Sequence, residues 1–256
     1  MGSDFREYVA LGDSYSIDLY PALDAGKTDV SVALERVEGA GSVAPVGAAS
    51  LLFQNNDELH PDESGNDLSS MFADIGFRKL ATDGATIGDV FGEQLSQLGE
   101  SDEPTIITLT LGSEDLFSAF SRSPKKALLE QIVNDLAEAY DLLVSAIKAT
   151  RPNATLILTT VTDPSDRTGR IAGVLDDADK LPLSALDAFN ANIRKLASDA
   201  QHVHVAEAYG HFLGHGATVG EEHRWYWRRS PIELNAAGAS ELRKVWLETL
   251  REAVYG

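Results

Sequence analysis

Short apolar runs that are rich in β-branched residues alternate along this chain with stretches that carry apolar side chains at helical spacing. The runs predict five strands, at residues 8–11, 74–80, 104–111, 154–161 and 202–206. The most regular helix is predicted at 123–150, with Pro124 at its first helical position. Strands that alternate with helices form a parallel sheet that is covered on both faces. The sequence therefore predicts a three-layer α/β/α sandwich with a mostly parallel five-stranded sheet.

Further segments complete this outline. Helices are also predicted at 46–53 and 183–200, with a final helix that ends at about 254, and residues 54–67 are predicted to be a loop. Another amphipathic helix is predicted at 87–98, and its apolar face contains Ile87, Val90, Phe91 and Leu95. Because no repeat or linker divides the chain, residues 1–256 are expected to form one domain, with an extended loop and helix insertion at about 18–72.

Composition excludes several classes of function. The 256 residues include no cysteine, so disulfides, thiol catalysis and cysteine-ligated metals are excluded. The formal net charge of −19 disfavours nucleic acid and anionic membranes as partners, because phosphate groups would be repelled. No run of roughly 18 apolar residues is present to span a membrane. With no signal-peptide pattern and no cysteine, we expect a cytoplasmic protein.

The first predicted strand leads into Gly12-Asp13-Ser14, a tight turn. This turn places Ser14 at the carboxyl edge of the sheet, where ligands bind in open α/β proteins. A hydroxyl presented at that edge is a candidate nucleophile. Asp and Ser are also ordinary turn and helix N-cap residues, so the triplet gains its weight from three later stretches.

Four stretches together resemble the sequence blocks of the SGNH (GDSL-type) hydrolases. They are Gly12-Asp13-Ser14, Asp83-Gly84-Ala85-Thr86, Gly112-Ser113-Glu114-Asp115 and residues 230–238. The resemblance covers nearly the whole chain and implies a flavodoxin-like fold that hydrolyses a small-molecule ester or acyl substrate. It also implies that Ser14 is the nucleophile and that the Gly84 N–H is an oxyanion-hole donor.

Three positions differ from the family's pattern. Glu114 stands where the family has its oxyanion-hole asparagine, Glu233 where it has the catalytic histidine, and Ser230 where it has the supporting aspartate. Of the four residues that name the family, only Ser14 and Gly84 remain. The predicted catalytic set is therefore degenerate, and Glu233 is the first choice for the base.

The two glutamates would act according to their protonation. A carboxylate with an ordinary pKa near about 4.3 is a weak base toward a serine hydroxyl, unless burial or like charge raises that pKa. An ionised Glu114 would place negative charge beside a developing oxyanion, whereas a protonated Glu114 would donate a hydrogen bond to it. We expect Asp83 at the same edge of the sheet, and Asp13 and Asp115 there as residues that brace their turns.

Three alternatives stay open at this stage. One of the loop histidines, His211, His215 or His223, is an alternative base for Ser14. An inactive member of the fold would bind a small molecule or a protein in the same cleft. A carboxylate-rich site would instead take a divalent cation, although no other cofactor and no metal-binding motif are predicted.

Overall fold

The computed structural model describes residues 5–26, 44–122, 126–171 and 180–255. A parallel sheet lies at its centre. Its strands are β1 (Glu7–Gly12), β2 (Gly76–Lys79), β3 (Thr105–Thr110), β4 (Thr155–Thr159) and β5 (Val203–Ala206). They lie in the order β2-β1-β3-β4-β5, and each neighbouring pair is parallel. The predicted five-stranded sheet is confirmed.

Helices connect and flank these strands. They are α1 (Leu19–Asp24), α2 (Ala48–Phe53), α3 (Leu68–Met71), α4 (87–98), α5 (Ser113–Arg122), α6 (Lys126–Thr150), α7 (Leu183–Asp199), α8 (Ala208–Phe212) and α9 (Ala236–Tyr255). The predicted helix start at Ser123-Pro124 and the middle of the predicted insertion, 27–43, lie outside the described residues. Within the described ranges, no helix combines the length and apolar character that crossing a membrane requires.

The two faces of the sheet bury two separate apolar cores. Side chains alternate between the faces of a strand, so Val9 and Leu11 of β1 pack on one side and Tyr8 and Ala10 on the other. The first side is covered by α4, α6 and α7, and the second by α2 and α9. This arrangement is the predicted three-layer α/β/α sandwich.

The strand order places a crevice beside the end of β1. The chain moves outward from β1 to β2 on one side and to β3, β4 and β5 on the other, so the order reverses between β1 and β3. Ligands bind at such a switch point, outside the carboxyl ends of the strands. The turn after β1 carries Ser14, and the start of α5 after β3 carries Glu114.

The helix α4 differs from its predicted register. Ile87 and Val90 are buried as expected, but Phe91 is 48% exposed and was wrongly assigned to the apolar face. A π-helical segment, Val90–Gln94, interrupts the α-helix and changes which side chains face the sheet. As a result the polar Gln94, only 1% exposed, lies in the interior.

Two further segments were not predicted. The helix α5 begins directly after Gly112, and the acidic residues in its first turn favour that end of a helix. The segment that carries the loop histidines contains part of α8 and also the short strand β6 (Tyr226–Trp227). β6 pairs antiparallel with β7 (Ser230–Leu234), and β7 carries Glu233.

Candidate active site

At the first position of the turn after β1, the backbone has a conformation that only glycine adopts without strain. Gly12 has φ +114°, and a Cβ built on it would lie 1.8 Å from the Thr110 carbonyl oxygen of β3. The Gly12 N–H donates to Gln94 Oε1 at 2.8 Å, and Gln94 Nε2 donates back to the Gly12 carbonyl at 2.9 Å. The end of β1 is therefore fixed by β3 and α4 together.

Asp13 holds the next part of the turn. Its Oδ1 accepts from the Tyr15 backbone N–H at 3.1 Å and caps the short 3₁₀ helix Ser14–Ser16. Its Oδ2 accepts from the Ser113 hydroxyl at 3.0 Å, which links the turn to the start of α5. Burial raises the pKa of Asp13 to about 6. These contacts are the bracing arrangement expected for Asp13, and they leave Ser14 half-buried at the carboxyl edge of the sheet.

Glu233 lies beside Ser14, although 219 positions separate the two residues in the sequence. Both side chains line the same cavity, and the Ser14 hydroxyl is close enough to the Glu233 carboxyl to lower its pKa. The Glu233 Oε2 atom is buried without a hydrogen-bond partner. The hairpin of β6 and β7 therefore brings a carboxyl group to the candidate nucleophile.

Burial is the main reason that the pKa of Glu233 rises from 4.5 to about 8. The negative charges of Asp83, Asp13 and Glu114 add to this increase, whereas the nearby Ser14 hydroxyl opposes it. Burial and like charge thus act on the same carboxyl group.

The second and third sequence blocks lie at the same edge. Gly84 has φ +64°, the left-handed region that favours glycine, and it lines the cavity next to Ser14. Its neighbour Asp83 is exposed, and the Tyr20 hydroxyl is 3.2 and 3.0 Å from its two carboxylate oxygens. Glu114 is half-buried on the first turn of α5, where it accepts from the Ser118 hydroxyl at 3.0 Å.

The remaining two supporting residues, Asp115 and Ser230, lie on the start of α5 and on β7. Asp115 accepts from the Ile87 backbone N–H at 3.1 Å and so braces the start of α4 rather than its own turn; burial raises its pKa to about 6. Ser230 is the first residue of β7 and pairs with Trp227. Residues three apart in a strand project to opposite faces, so the Ser230 side chain is not positioned to support the Glu233 carboxyl.

The three loop histidines do not line the cavity that Ser14 lines. His211 Nε2 is 3.0 Å from a carboxylate oxygen of Glu241. The His215 ring stacks on Trp225 with a centroid distance of 3.5 Å, and its Nδ1 is 2.6 Å from the His223 carbonyl. These contacts occupy His211 and His215 elsewhere, so Glu233 is better placed than they are to act on Ser14.

A predominantly apolar cavity of about 120 Å³ opens beside Ser14. Its walls come from α5, from the start of α7 and from the segment after β4, and include Leu116, Phe117, Phe120, Val161, Ile171, Leu183 and Leu186. Its acidic lining residues are Asp13, Glu114, Asp163 and Glu233, and no described residue of the lining is basic. The cavity therefore fits an uncharged apolar group next to the Ser14 hydroxyl.

Sequence reasoning missed most of this cavity because it missed α5. The signal was present, since acidic residues follow Gly112-Ser113 and Leu116, Phe117 and Phe120 recur at helical spacing. In the described part of the chain, no group of three or more His, Asp and Glu side chains is arranged to hold a metal ion.

The parallel sheet has the strand order 2-1-3-4-5, and the candidate nucleophile lies at its switch point, on the turn after β1. This is an α/β/α fold of the SGNH-hydrolase type. The chain belongs to the GDSL-like lipase/acylhydrolase family, whose sequence profile matches residues 8–216. Family membership implies a small-molecule ester as substrate. No curated protein gives a significant sequence match.

Solved structures with the same fold include several lipases and esterases. Phospholipase A1 from Streptomyces albidoflavus NA297 is 22% identical with a TM-score of 0.61, and the alignment covers 97% of this chain and 99% of that one. The extracellular lipase from Streptomyces rimosus is 21% identical with a TM-score of 0.53 and the same coverage. A catalytic mutant of an acetylxylan esterase from Geobacillus stearothermophilus is 16% identical, with a TM-score of 0.54 over 98% and 95% of the two chains. At these identities the likeness concerns the fold.

Proposed function

We propose that this protein is a serine ester hydrolase in which Ser14 is the nucleophile and Glu233 replaces histidine as the general base. The observation that carries the proposal is the proximity of the Ser14 hydroxyl to the Glu233 carboxyl, since both line the same apolar cavity and Ser14 lowers the pKa of Glu233. A nucleophile within hydrogen-bond reach of a base is the arrangement that acyl transfer requires.

The environment of Glu233 supports its role as a base. A general base is most effective when its pKa lies near the working pH, and burial brings the pKa of Glu233 to about 8. An ordinary carboxyl group, with a pKa near about 4.3, would be a far weaker acceptor for the serine proton. Glu233 removes the proton from Ser14 as the hydroxyl attacks the ester carbonyl, and then returns it to the leaving alcohol.

In this proposal, different parts of the site bind the acyl chain and the ester carbonyl of the substrate. The acyl chain enters the apolar cavity between α5 and α7, and the carbonyl carbon lies at Ser14. The Gly84 backbone N–H donates to the oxyanion. Glu114, at the position of the family's asparagine, assists as a donor only when it is protonated, so its ionised form opposes the reaction.

The test is hydrolysis of 4-nitrophenyl butyrate from about pH 5 to 10 by the wild-type protein, Ser14→Ala and Glu233→Gln. We expect the wild-type rate to rise with pH through a midpoint near 8, because the base must be ionised. Both variants should lose activity by about 10²-fold or more. Their folding is checked by circular dichroism and thermal unfolding.

Equal rates in the wild type and Ser14→Ala would contradict the proposal and leave the cleft as a binding site. A midpoint near about 6.5 that persists in Glu233→Gln would instead identify a histidine as the base. Loss of activity on chelation with EDTA, restored by calcium or magnesium, would favour the cation-dependent alternative.

A further inference from the structure

Tyr15 connects the nucleophile turn directly to the strand that carries Glu233. Its hydroxyl donates to the Ile232 carbonyl at 3.1 Å, and Ile232 immediately precedes Glu233 in β7. The same hydroxyl lies 2.9 Å from Thr162 Oγ1. A phenol has one proton, and a carbonyl oxygen can only accept, so the Thr162 hydroxyl is the donor in the second hydrogen bond.

This contact matters because β7 is not part of the main sheet. β7 pairs with β6 in a separate two-stranded sheet, whereas Ser14 follows β1 at the centre of the five-stranded sheet. No ladder of backbone hydrogen bonds between β1 and β7 therefore sets their relative position within the described residues. The hydroxyl of Tyr15 provides a connection from one residue beside Ser14 to one residue beside Glu233.

The backbone of Tyr15 is fixed on the nucleophile side. Its N–H donates to Asp13 Oδ1 at 3.1 Å, in the same turn that presents Ser14. Burial raises the pKa of the Tyr15 hydroxyl well above its usual range, so the hydroxyl keeps its proton and remains a donor. Tyr15, Thr162 and Ile232 all line the cavity beside Ser14.

We propose that Tyr15 is a positioning residue, which holds the Ile232–Glu233 segment of β7 at the Ser14 turn through its hydroxyl. The inference rests on the proposed function for its effect on catalysis. Its effect on Glu233 itself does not depend on whether the protein hydrolyses an ester. Tyr15 touches neither the scissile bond nor the transferred proton in this proposal.

The test compares Tyr15→Phe with Tyr8→Phe. Both changes remove one tyrosine hydroxyl that hydrogen-bonds to a threonine, because the Tyr8 hydroxyl lies 2.9 Å from Thr108 Oγ1. Tyr8 is fully buried on β1 and does not line the cavity. Tyr8→Phe therefore reproduces the general cost of removing a buried hydroxyl without affecting the link to β7.

The first readout is the titration of Glu233. It is monitored by NMR in protein labelled with ¹³C at the glutamate side-chain carboxyl, and the Glu233 signal is assigned with Glu233→Gln. Loss of the Tyr15 link should move the Glu233 carboxyl away from the Ser14 hydroxyl, which lowers the pKa of Glu233 when it is close. We expect the Glu233 midpoint to rise in Tyr15→Phe and to stay unchanged in Tyr8→Phe. An unchanged midpoint in Tyr15→Phe overturns the proposal.

The second readout is the hydrolysis of 4-nitrophenyl butyrate. In Tyr15→Phe, kcat should fall by about 10- to 100-fold with KM changed by less than about threefold, since misplacement of a catalytic group affects the transition state most. Equal kcat values in Tyr15→Phe and Tyr8→Phe would overturn the catalytic part. If Ser14→Ala is as active as the wild type, the proposed function fails, and the Glu233 titration still decides whether Tyr15 positions β7.

Discussion

Gln94 pairs with both backbone polar groups of Gly12. Its Oε1 accepts from the Gly12 N–H at 2.8 Å, and its Nε2 donates to the Gly12 carbonyl at 2.9 Å. The pairing resembles one rung of a β-ladder, formed by a side chain at the end of β1 where the chain leaves the sheet. A helix on one face of the sheet thereby fixes the backbone two residues before Ser14.

We expect Gln94→Leu to destabilise the protein by about 1–3 kcal/mol, because the buried Gly12 N–H loses its acceptor while the Gly12 carbonyl keeps the Thr82 N–H as a donor. Gln97→Leu is the matched control, since Gln97 is exposed on the same helix. Urea unfolding at pH 7 measures both. Equal stabilities of the two variants would show that Gln94 contributes nothing specific to the turn.

Glu114→Gln should increase the rate of ester hydrolysis at pH 7. The negative charge of Glu114 raises the pKa of Glu233, so its removal should lower that pKa and leave more of the base ionised. The new amide is also a donor for the oxyanion. We expect about a 3- to 10-fold gain, together with a pH–rate midpoint below about 8.

The control for this prediction is Glu138→Gln, which removes an exposed glutamate from α6. It changes the net charge by the same amount without altering the lining of the cavity. An equal rate increase in Glu138→Gln would indicate a general charge effect. A midpoint that stays near about 8 in Glu114→Gln would contradict the coupling between Glu114 and Glu233.

The pKa of Glu233 also predicts how stability depends on pH. Its value rises from 4.5 to about 8 on folding, so between these pH values the folded state holds more protons than the unfolded state. The contribution of Glu233 is therefore fully present below about pH 4.5 and is lost as pH rises through about 8. Glu233→Gln cannot ionise and should lose less stability over this range, by on the order of 2–4 kcal/mol.

Urea unfolding of the wild type and Glu233→Gln at pH 5, 7 and 9 checks this prediction. Asp13 and Asp115 have pKa values raised to about 6, so their contributions to stability are lost as pH rises through about 6 in both proteins. The difference between the two curves above that pH therefore isolates Glu233. Parallel curves would mean that Glu233 titrates near its ordinary value in the folded protein.

Phe120→Ala should shift the preference of the proposed esterase toward longer acyl chains. Phe120 lines the apolar cavity, and truncation of its ring adds volume for further methylene groups. We expect the ratio of kcat/KM for octanoyl over butanoyl 4-nitrophenyl esters to increase by about tenfold. Phe91→Ala removes an exposed ring from α4 and should leave the ratio unchanged. Equal ratios in the two variants would exclude Phe120 as a determinant of chain length.

Much of the fold was predictable because its signals are local. The strands β3 and β4 are apolar runs, and the helices α6, α7 and α9 repeat apolar side chains at helical spacing, so each pattern is complete within its own segment. The helix α4 was predicted with one wrong contact, at Phe91, because a π-helical segment changes the phase in a way that the periodicity does not contain. The helix α5 was overlooked, although its residues carried the helical signal.

The sequence by itself determined the alternating architecture and the turn that presents Ser14, because these depend on the periodicity and on the conformations of nearby residues. Only the tertiary structure decided the surroundings of Glu233. Its pKa depends on burial and on the charges of Asp83, Asp13 and Glu114, which come from distant parts of the chain. The packing of α5 and α7 likewise decided the cavity, since long-range contacts select which side chains meet.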